Sequence, residues 1–141
     1  MKHEFFFKQA IELANQAAEK DEVPIGAILV KDDKIISSSH NLTEQNHSFI
    51  AHAEILCIQQ ANQVLGSKYL NGCHLYVPLE PCGMCHYAAK LSRIESIFYL
   101  IDSSSFGIMG KAYKDLHIQK LETDFSPQYL ALLQSFFKQK R

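Results

Sequence analysis

The sequence carries almost no net charge. Its 14 lysine and arginine residues are balanced by 15 aspartate and glutamate residues, so the formal net charge is -1 and the isoelectric point is about 6.6. A chain with this balance has no overall positive field that would draw it onto nucleic acid. Binding to nucleic acid would therefore need a local patch of basic residues.

Long hydrophobic runs are also absent. The apolar run near the N-terminus, Phe5 to Phe7, is far shorter than the core of a secretory signal peptide. No segment approaches the roughly 18 apolar residues that a membrane-spanning helix needs. We therefore expect a cytoplasmic protein without membrane contact, in which the four cysteines stay reduced.

Proline and glycine are few, and no repeat, linker or low-complexity tract interrupts the chain. The four prolines and six glycines fall mainly where helices or strands are expected to end. Hydrophobic residues make up 47% of the 141 residues, which is ordinary for a folded globular protein. Together these features predict a single domain over residues 1–141.

Segments with helical spacing of apolar residues alternate with short apolar runs that are typical of strands. The order is helix, two strands, helix, strand, helix, strand, strand, helix, and it predicts an α/β fold. We expect a three-layer α/β/α sandwich around a central mixed five-stranded sheet. Helices are expected over 5–20, 51–65, 82–92 and from 126 onward, and strands over 23–30, 35–41, 73–77, 96–101 and 117–123.

One segment that could carry a functional site is PCGMCHYAAK, in which Cys82 and Cys85 lie three positions apart and His86 follows directly. This spacing alone allows three chemistries: covalent haem attachment, a redox pair, or half of a zinc site. Haem attachment ranks lowest because it normally follows export, for which the sequence gives no sign.

A second pair of residues decides between these alternatives. His52 and Glu54 lie two positions apart in AHAE, upstream of Pro81, Cys82 and Cys85. Catalytic zinc sites use three protein ligands and leave one position for water. We expect His52, Cys82 and Cys85 to bind one zinc ion, and Glu54 to act beside the metal as the base.

The helix geometry adds a condition. Residues two apart on a helix point about 200° away from each other. His52 and Glu54 can therefore meet at one site only if the helix begins around them. Pro81 fits the start of the next helix because it lacks the N–H group that would be unpaired there. Thiolates at a helix N-terminus are stabilised by its free N–H groups.

Other histidines and cysteines leave room for a structural zinc site, which would need a fourth protein ligand. His40 and His74 are possible ligands from strands, and His86 is expected to point away from Cys85 into packing or solvent. Cys57 and Cys73 have no motif partner and are interpreted as buried thiols.

The combined pattern His-x-Glu, spacer, Pro-Cys-x-x-Cys resembles that of the cytidine deaminase-like superfamily. The chain is most similar to the bacterial tRNA-specific adenosine deaminases, in the stretches DEVPIGAILV, HN at 40–41, AHAEI, LYVPLEPCGMC, LSRI and LLQSFFKQKR. The resemblance covers nearly the whole chain and implies the same α/β fold.

The resemblance also implies a mechanism and a set of site residues. Hydroxide at the zinc ion would attack C6 of adenine and give inosine, with Glu54 moving the proton. Asn41 would hydrogen-bond the bound nucleotide, and the backbones of Ala53 and Cys82 would line the pocket. The family is commonly dimeric, so the resemblance implies a homodimer.

The C-terminal segment is the candidate RNA contact, because the family often ends in an aromatic, basic helix used on tRNA. The residues that would stack on bases or bind phosphates are Phe136, Phe137, Lys138, Lys140 and Arg141. The alternative is a solvated helix end whose two phenylalanines belong to the core.

Three segments depart from the family pattern: Ser48–Ala51, Pro78 and Ser103–Gly110. They leave a second hypothesis open, a deaminase of free guanine, cytosine or a nucleoside such as cytidine. A zinc-binding domain without activity and a thiol oxidoreductase are further alternatives. Glu54 disfavours the former, and a metal on the two thiols would exclude the latter.

Overall fold

The structure is a computed structural model that describes residues 2–103 and 117–139. The helices of these residues are α1 (His3–Glu19), α2 (Ala53–Leu65), α3 (Gly83–Leu91) and α4 (Ser126–Gln139). The strands are β1 (Gly26–Lys31), β2 (Lys34–His40), β3 (Cys73–Tyr76), β4 (Ser96–Tyr99) and β5 (His117–Lys120). In this part of the chain no helix is long and apolar enough to cross a membrane.

The five strands form one sheet in the order β2-β1-β3-β4-β5. Strand β1 pairs antiparallel with β2 and with β3, whereas β3, β4 and β5 run parallel. Parallel neighbours need a crossover connection, and α3 provides it between β3 and β4. The expected mixed five-stranded sheet is therefore confirmed.

Both faces of the sheet are covered, because neighbouring residues of a strand point to opposite sides. In β1, Ala27 and Leu29 pack with residues of α2 and α3, whereas Ile28 and Val30 pack with α1. Helix α4 packs on α1 through Tyr129, beside the second face. This arrangement confirms the expected three-layer α/β/α sandwich.

Two glycines allow the helices to fit around the sheet. A Cβ atom on Gly26 would overlap the carbonyl oxygen of Ala10, so any side chain there would push α1 away from β1. Gly66 ends α2 with φ of 62°, a left-handed conformation that glycine adopts without steric cost. The expected stop of this helix at Gly66 is confirmed.

The end of β3 shapes the segment that carries Cys82 and Cys85. The strand ends at Tyr76, as expected for a strand that runs into Pro78. The carbonyl oxygen of Pro78 instead accepts the N–H groups of Leu100 and Ile101, each at 3.0 Å. The loops after β3 and β4 are thereby joined at the carboxyl end of the parallel strands, where ligands commonly bind in α/β sheets.

Candidate metal centre and active site

Helix α2 begins directly after the histidine of the AHAE motif. His52 is the N-cap residue, with extended φ and ψ of -72° and 149°, and Glu54 lies in the first helical turn. His52 is therefore outside the helical geometry that would turn the two side chains away from each other. This start meets the condition on helix geometry that the sequence raised.

Helix α3 begins in the same way around the cysteine pair. Cys82 is the N-cap residue in an extended conformation, with φ of -71° and ψ of 173°. Cys85 lies in the first turn, and the N–H of His86 closes the first helical hydrogen bond to the Cys82 carbonyl at 2.9 Å. Both thiols consequently lie at a helix N-terminus, where the helix dipole favours negative charge.

The two helix starts meet at three side-chain atoms. The distance from His52 Nδ1 is 3.5 Å to Cys82 Sγ and 3.4 Å to Cys85 Sγ. The candidate ligand atoms of these three residues lie within 4.8 Å of one another, close enough to share a metal ion. Within residues 2–103 and 117–139, no other group of three or more His, Cys, Asp or Glu side chains meets this condition.

This group fits zinc by its chemistry and by its distances. One imidazole nitrogen and two thiol sulfurs are a typical zinc donor set. A tetrahedral ion with Zn–S of about 2.3 Å and Zn–N of about 2.0–2.1 Å holds its nitrogen and sulfur ligands about 3.5 Å apart. The observed nitrogen–sulfur distances of 3.5 and 3.4 Å are close to that value.

The two thiols differ in acidity because they share a hydrogen bond. That bond and the contact with His52 lower the pKa of Cys82 and so favour its thiolate form. The same bond raises the pKa of Cys85, and burial raises it further. The bond to Cys82 also raises the pKa of His52. A metal ion bound to both sulfurs would replace the proton of this hydrogen bond.

Glu54 lies beside this cluster in a nearly dry environment. Its side chain is 3% exposed, and its Oε1 is buried without a hydrogen-bond partner in the described protein. Burial raises the pKa of Glu54 to about 7. A carboxyl group with this pKa can both accept and release a proton at neutral pH, as a general acid and base must.

A second buried carboxylate supports the cysteine loop. Glu80 is 3% exposed, and its Oε1 accepts the N–H of Ser103 at 3.0 Å. Because Ser103 follows β4 and Glu80 precedes Pro81, this bond connects the segments at the ends of two parallel strands. Glu80 thus stabilises the loop that carries Cys82.

Of the two residues expected to bind substrate, Ala53 directly follows His52, and Asn41 lies in a loop that contacts the segment before His52. Ala53 is fully buried at the start of α2. Asn41 follows β2 and is 3% exposed. The neighbouring Leu42 donates its N–H to the Ala51 carbonyl at 3.0 Å, which places Asn41 beside the segment that leads into His52.

Glu22 is a residue of this region that the sequence analysis does not single out. It is 1% exposed, and its carboxylate accepts hydrogen bonds from Asn41 and from the backbone of the loop that follows. The sequence holds one signal, a glutamate directly before the apolar run VPIGAILV, but nothing in it identifies the partner.

The other histidines do not join the metal-binding group. His74 contacts Glu95 at 3.3 Å, and His40 hydrogen-bonds the Asn41 carbonyl at 2.9 Å. His86 is fully buried in α3, so of its two expected roles the structure favours packing. Cys57 and Cys73 are buried free thiols, as the sequence suggests.

The candidate RNA contacts divide between core and surface. Phe136 is 9% exposed and belongs to the buried residues of α4, which favours the core interpretation for this residue over stacking on a base. Phe137 is 38% exposed, and Lys138 is exposed in the last turn. Lys140 and Arg141 lie outside the described residues.

Of the three segments that depart from the family pattern, the first is prominent at the surface. Phe49 is 94% exposed and Ile50 is 61% exposed, shortly before His52. Pro78 follows β3, which ends at Tyr76. The third segment, Ser103–Gly110, is described only at Ser103.

Comparison with known proteins agrees with this geometry. The whole chain, residues 1–141, matches the family of MafB19-like deaminases. A tRNA-specific adenosine deaminase of Aquifex aeolicus (strain VF5) is 50% identical over 111 residues, which cover 78% of this chain and 74% of that protein.

Two solved structures are similar in fold and sequence. One comes from a study of A-to-I editing by tRNA:A34 deaminases at the wobble position of transfer RNA; it has a TM-score of 0.79 and 34% identity, covering 86% of this chain and 100% of that one. The other is a guanine deaminase from Bacillus subtilis, with a TM-score of 0.71 and 29% identity over 98% of this chain and 95% of that one.

The fold, the site and the similarity to these proteins define the class of the protein. It is an enzyme with the cytidine deaminase-like fold that removes an amino group by hydrolysis. Within that class, the chain belongs to the MafB19-like deaminase family, among the relatives called tRNA-specific adenosine deaminases.

Proposed function

We propose that this protein is a zinc-dependent deaminase that converts the wobble adenosine of a tRNA to inosine, and that residues 1–141 form its single catalytic domain. The observation that carries the proposal is that His52 Nδ1 lies within 3.5 Å of both Cys82 Sγ and Cys85 Sγ, beside the buried carboxyl group of Glu54. The likeness to tRNA-specific adenosine deaminases supports the substrate. A tRNA substrate also fits the expected cytoplasmic location.

The zinc ion would be held by His52 Nδ1, Cys82 Sγ and Cys85 Sγ. Three protein ligands leave one position of a tetrahedral ion open, as in catalytic sites rather than structural ones. A zinc ion bound there would lower the pKa of water to about 7 and so make hydroxide available at neutral pH. The two helix N-termini keep the thiolates in place by their dipoles.

Glu54 performs the proton transfers of the reaction. Its Oε1, which lacks a hydrogen-bond partner in the described protein, takes a proton from the attacking water. The carboxyl group then delivers that proton to the purine and assists the departure of the amino group. Adenosine and water are thereby converted to inosine and ammonia, and Glu54 ends in the state in which it began.

Asn41 and Ala53 orient the substrate in this proposal. Asn41 offers a side-chain amide for a hydrogen bond to the nucleotide, and Ala53 places backbone at the start of α2. Both residues are buried, so a base that contacts them is shielded from bulk water. A target base must leave its stack to reach such a site, as nucleobase deaminases require.

The end of α4 supplies a local cationic and aromatic contact, which the near-zero net charge of the chain makes necessary. Phe137 offers a partly exposed ring for stacking, and Lys138 offers a charge for phosphate. We include Lys140 and Arg141 in this contact on the basis of their place in the sequence.

The deciding experiment is an activity assay on matched substrates. Purified zinc-loaded protein is incubated with a tRNA that carries adenosine at the wobble position, and in parallel with free adenine, guanine, cytosine and their nucleosides. Inosine is measured by mass spectrometry of digested tRNA, and ammonia release is measured for the small molecules. Conversion of the wobble adenosine is expected, and an unchanged tRNA beside a deaminated free base would refute the proposal.

A free-base deaminase is the second candidate function. It is favoured by the likeness to a guanine deaminase over 98% of this chain, and by the lack of an overall positive charge. In that case the exposed residues of α4 would serve no substrate contact. Ammonia release from guanine with no inosine in tRNA is the outcome that would establish it.

We further propose that the enzyme is a homodimer. Helix α3 presents apolar side chains to solvent at Met84, Tyr87 and Leu91, which are 38%, 46% and 64% exposed. Their spacing of three and four residues aligns them along one face of the helix. Light scattering of the purified protein should give twice the chain mass, and M84E or L91E should reduce it to one.

A further inference from the structure

A buried carboxylate that takes no part in the chemistry above holds the loop beside the active site. Glu22 lies between α1 and β1 and is 1% exposed. Its Oε2 accepts the backbone N–H of Gln45 at 2.8 Å, and its Oε1 accepts that of Glu44 at 3.0 Å. A third donor, the side-chain Nδ2 of Asn41, lies 3.4 Å from Oε1.

These contacts fix which side of the Asn41 amide faces the ligand. Nδ2 carries two hydrogens; one points to Glu22 Oε1 and the other to Thr43 Oγ1, at 3.1 Å. A carboxylate only accepts hydrogen bonds, so the reversed amide would place a carbonyl oxygen against the carboxylate oxygen. With both N–H groups occupied, Oδ1 is the atom of Asn41 that a ligand can use.

The same loop is tied to the segment that enters the metal-binding group. The Asn41 N–H donates to the Ile25 carbonyl at 3.0 Å, and the Leu42 N–H donates to the Ala51 carbonyl at 3.0 Å. The backbone of Asn41 is thus fixed on both sides, and its side chain is the part whose polarity Glu22 sets.

We infer that Glu22 is a positioning residue that makes Asn41 a hydrogen-bond acceptor and thereby selects substrates with an O–H or N–H donor at that point. The inference rests on the proposed role of Asn41 in substrate binding. The donor would be a ribose hydroxyl in a polynucleotide substrate and a ring N–H in a free base. An adenosine whose 2′-hydroxyl is replaced by hydrogen distinguishes these two sources.

An exchange of the two functional groups tests the inference. An E22Q side chain whose nitrogen takes the place of Oε1 donates to residue 41 instead of accepting from it, and Asn41 then turns its own N–H groups toward the substrate. We expect KM to rise about tenfold, with kcat and zinc content close to those of the wild type. N41D places two carboxylates together and should raise KM further.

The double variant E22Q/N41D exchanges the donor and the acceptor between positions 22 and 41, so that an acceptor again faces the substrate. The amide introduced at position 22 donates to one oxygen of the carboxylate introduced at position 41, and the other oxygen of that carboxylate faces the substrate as an acceptor. The KM of the double variant should fall below that of either single variant, although the Glu44 N–H, which donates to the same Oε1 of Glu22, loses its acceptor in E22Q and in the double variant alike. E19Q removes a charge from the exposed end of α1 and should behave as the wild type.

A second readout needs no turnover. The two side-chain amide protons of Asn41 should exchange slowly with solvent in NMR spectra of the wild type, and rapidly in E22Q. Thermal melting of each variant reports whether the fold is intact. The KM values are measured on whichever substrate the wild type deaminates, so failure of the tRNA assignment leaves this test valid.

The outcomes separate positioning from loop support. A double variant whose KM equals or exceeds that of both single variants would show that Glu22 merely holds the loop, and would overturn the inference. Rapid exchange of the Asn41 amide in the wild type would overturn it as well. A lower KM in the double variant than in either single variant supports the inference. If this decrease in KM disappears with the 2′-deoxy substrate, the ribose hydroxyl is the donor.

Discussion

The N-termini of α2 and α3 hold their functional side chains together in the interior, whereas the C-terminal turns of α4 divide theirs between interior and surface. At the first region, the proposed ligand atoms lie within 4.8 Å of one another and Glu54 is 3% exposed. At the second, adjacent phenylalanines are 9% and 38% exposed. Breaking a bond in the substrate requires catalytic groups in fixed positions, whereas contact with a flexible nucleic acid requires accessible rings and charges.

The largest effect is expected from E54Q, which keeps the shape of the side chain and removes its proton-transfer capacity. The rate of inosine formation should fall by about 10²–10⁴-fold, while zinc remains at one ion per chain. The rate and the metal content are measured on the same preparation. Turnover close to the wild-type rate would remove Glu54 from the mechanism. The buried side chains at the start of α2 would then have no larger effect on the reaction than the exposed ones of α4.

Loss of a thiol comes next and has a matched control within α2. C85A should abolish stoichiometric zinc binding and lower the melting temperature, because metal binding to the folded state stabilises it. C57A should keep its zinc, since the Cys57 thiol contacts Ser37 Oγ at 3.1 Å and lies outside the metal-binding group. Equal zinc loss in both variants would contradict the assignment of Cys85 as a ligand.

The two phenylalanines of α4 should respond in opposite ways. F136A removes a buried ring and should cost about 3 kcal/mol of unfolding free energy. F137A should leave the melting temperature nearly unchanged and raise KM for tRNA several-fold, because stacking on a base contributes about 1–3 kcal/mol. If F137A binds tRNA as the wild type does, α4 has only a structural role.

The smallest effect is expected at the charged end of the same helix. K138Q should weaken tRNA binding modestly and reduce the slope of log K against log salt by about one. K34Q, at the first residue of β2, removes the same charge elsewhere and should leave that slope unchanged. Identical slopes for K138Q and the wild type would exclude a phosphate contact at Lys138.

The difference between the two regions also explains what could be predicted from the sequence. The positions of His52 and Cys82 are tied to helix starts, and a helix start depends on nearby residues. The sequence therefore predicts the grouping of the proposed ligands, although α2 begins at Ala53 rather than at residue 51. Periodicity likewise predicts the order of the strands and helices. It predicts most of their ends to within two or three residues.

Features that depend on tertiary packing could not be predicted. The burial of Phe136 rather than Phe137 follows from how α4 is rotated against α1, which amphipathic spacing gives only approximately. The bonds of Glu22 to residues 19 to 23 positions later depend on the closure of the loop after β2. No local pattern encodes such a contact.

The central claim is an open zinc site with three protein ligands and Glu54 outside the coordination sphere. X-ray absorption at the zinc edge of the purified protein tests it most directly. We predict one zinc ion per chain with two sulfur ligands at about 2.3 Å, one imidazole nitrogen and one further light atom. The spectrum of E54Q should show the same set. A protein free of zinc, or a zinc ion with three or four sulfur ligands, would contradict the account.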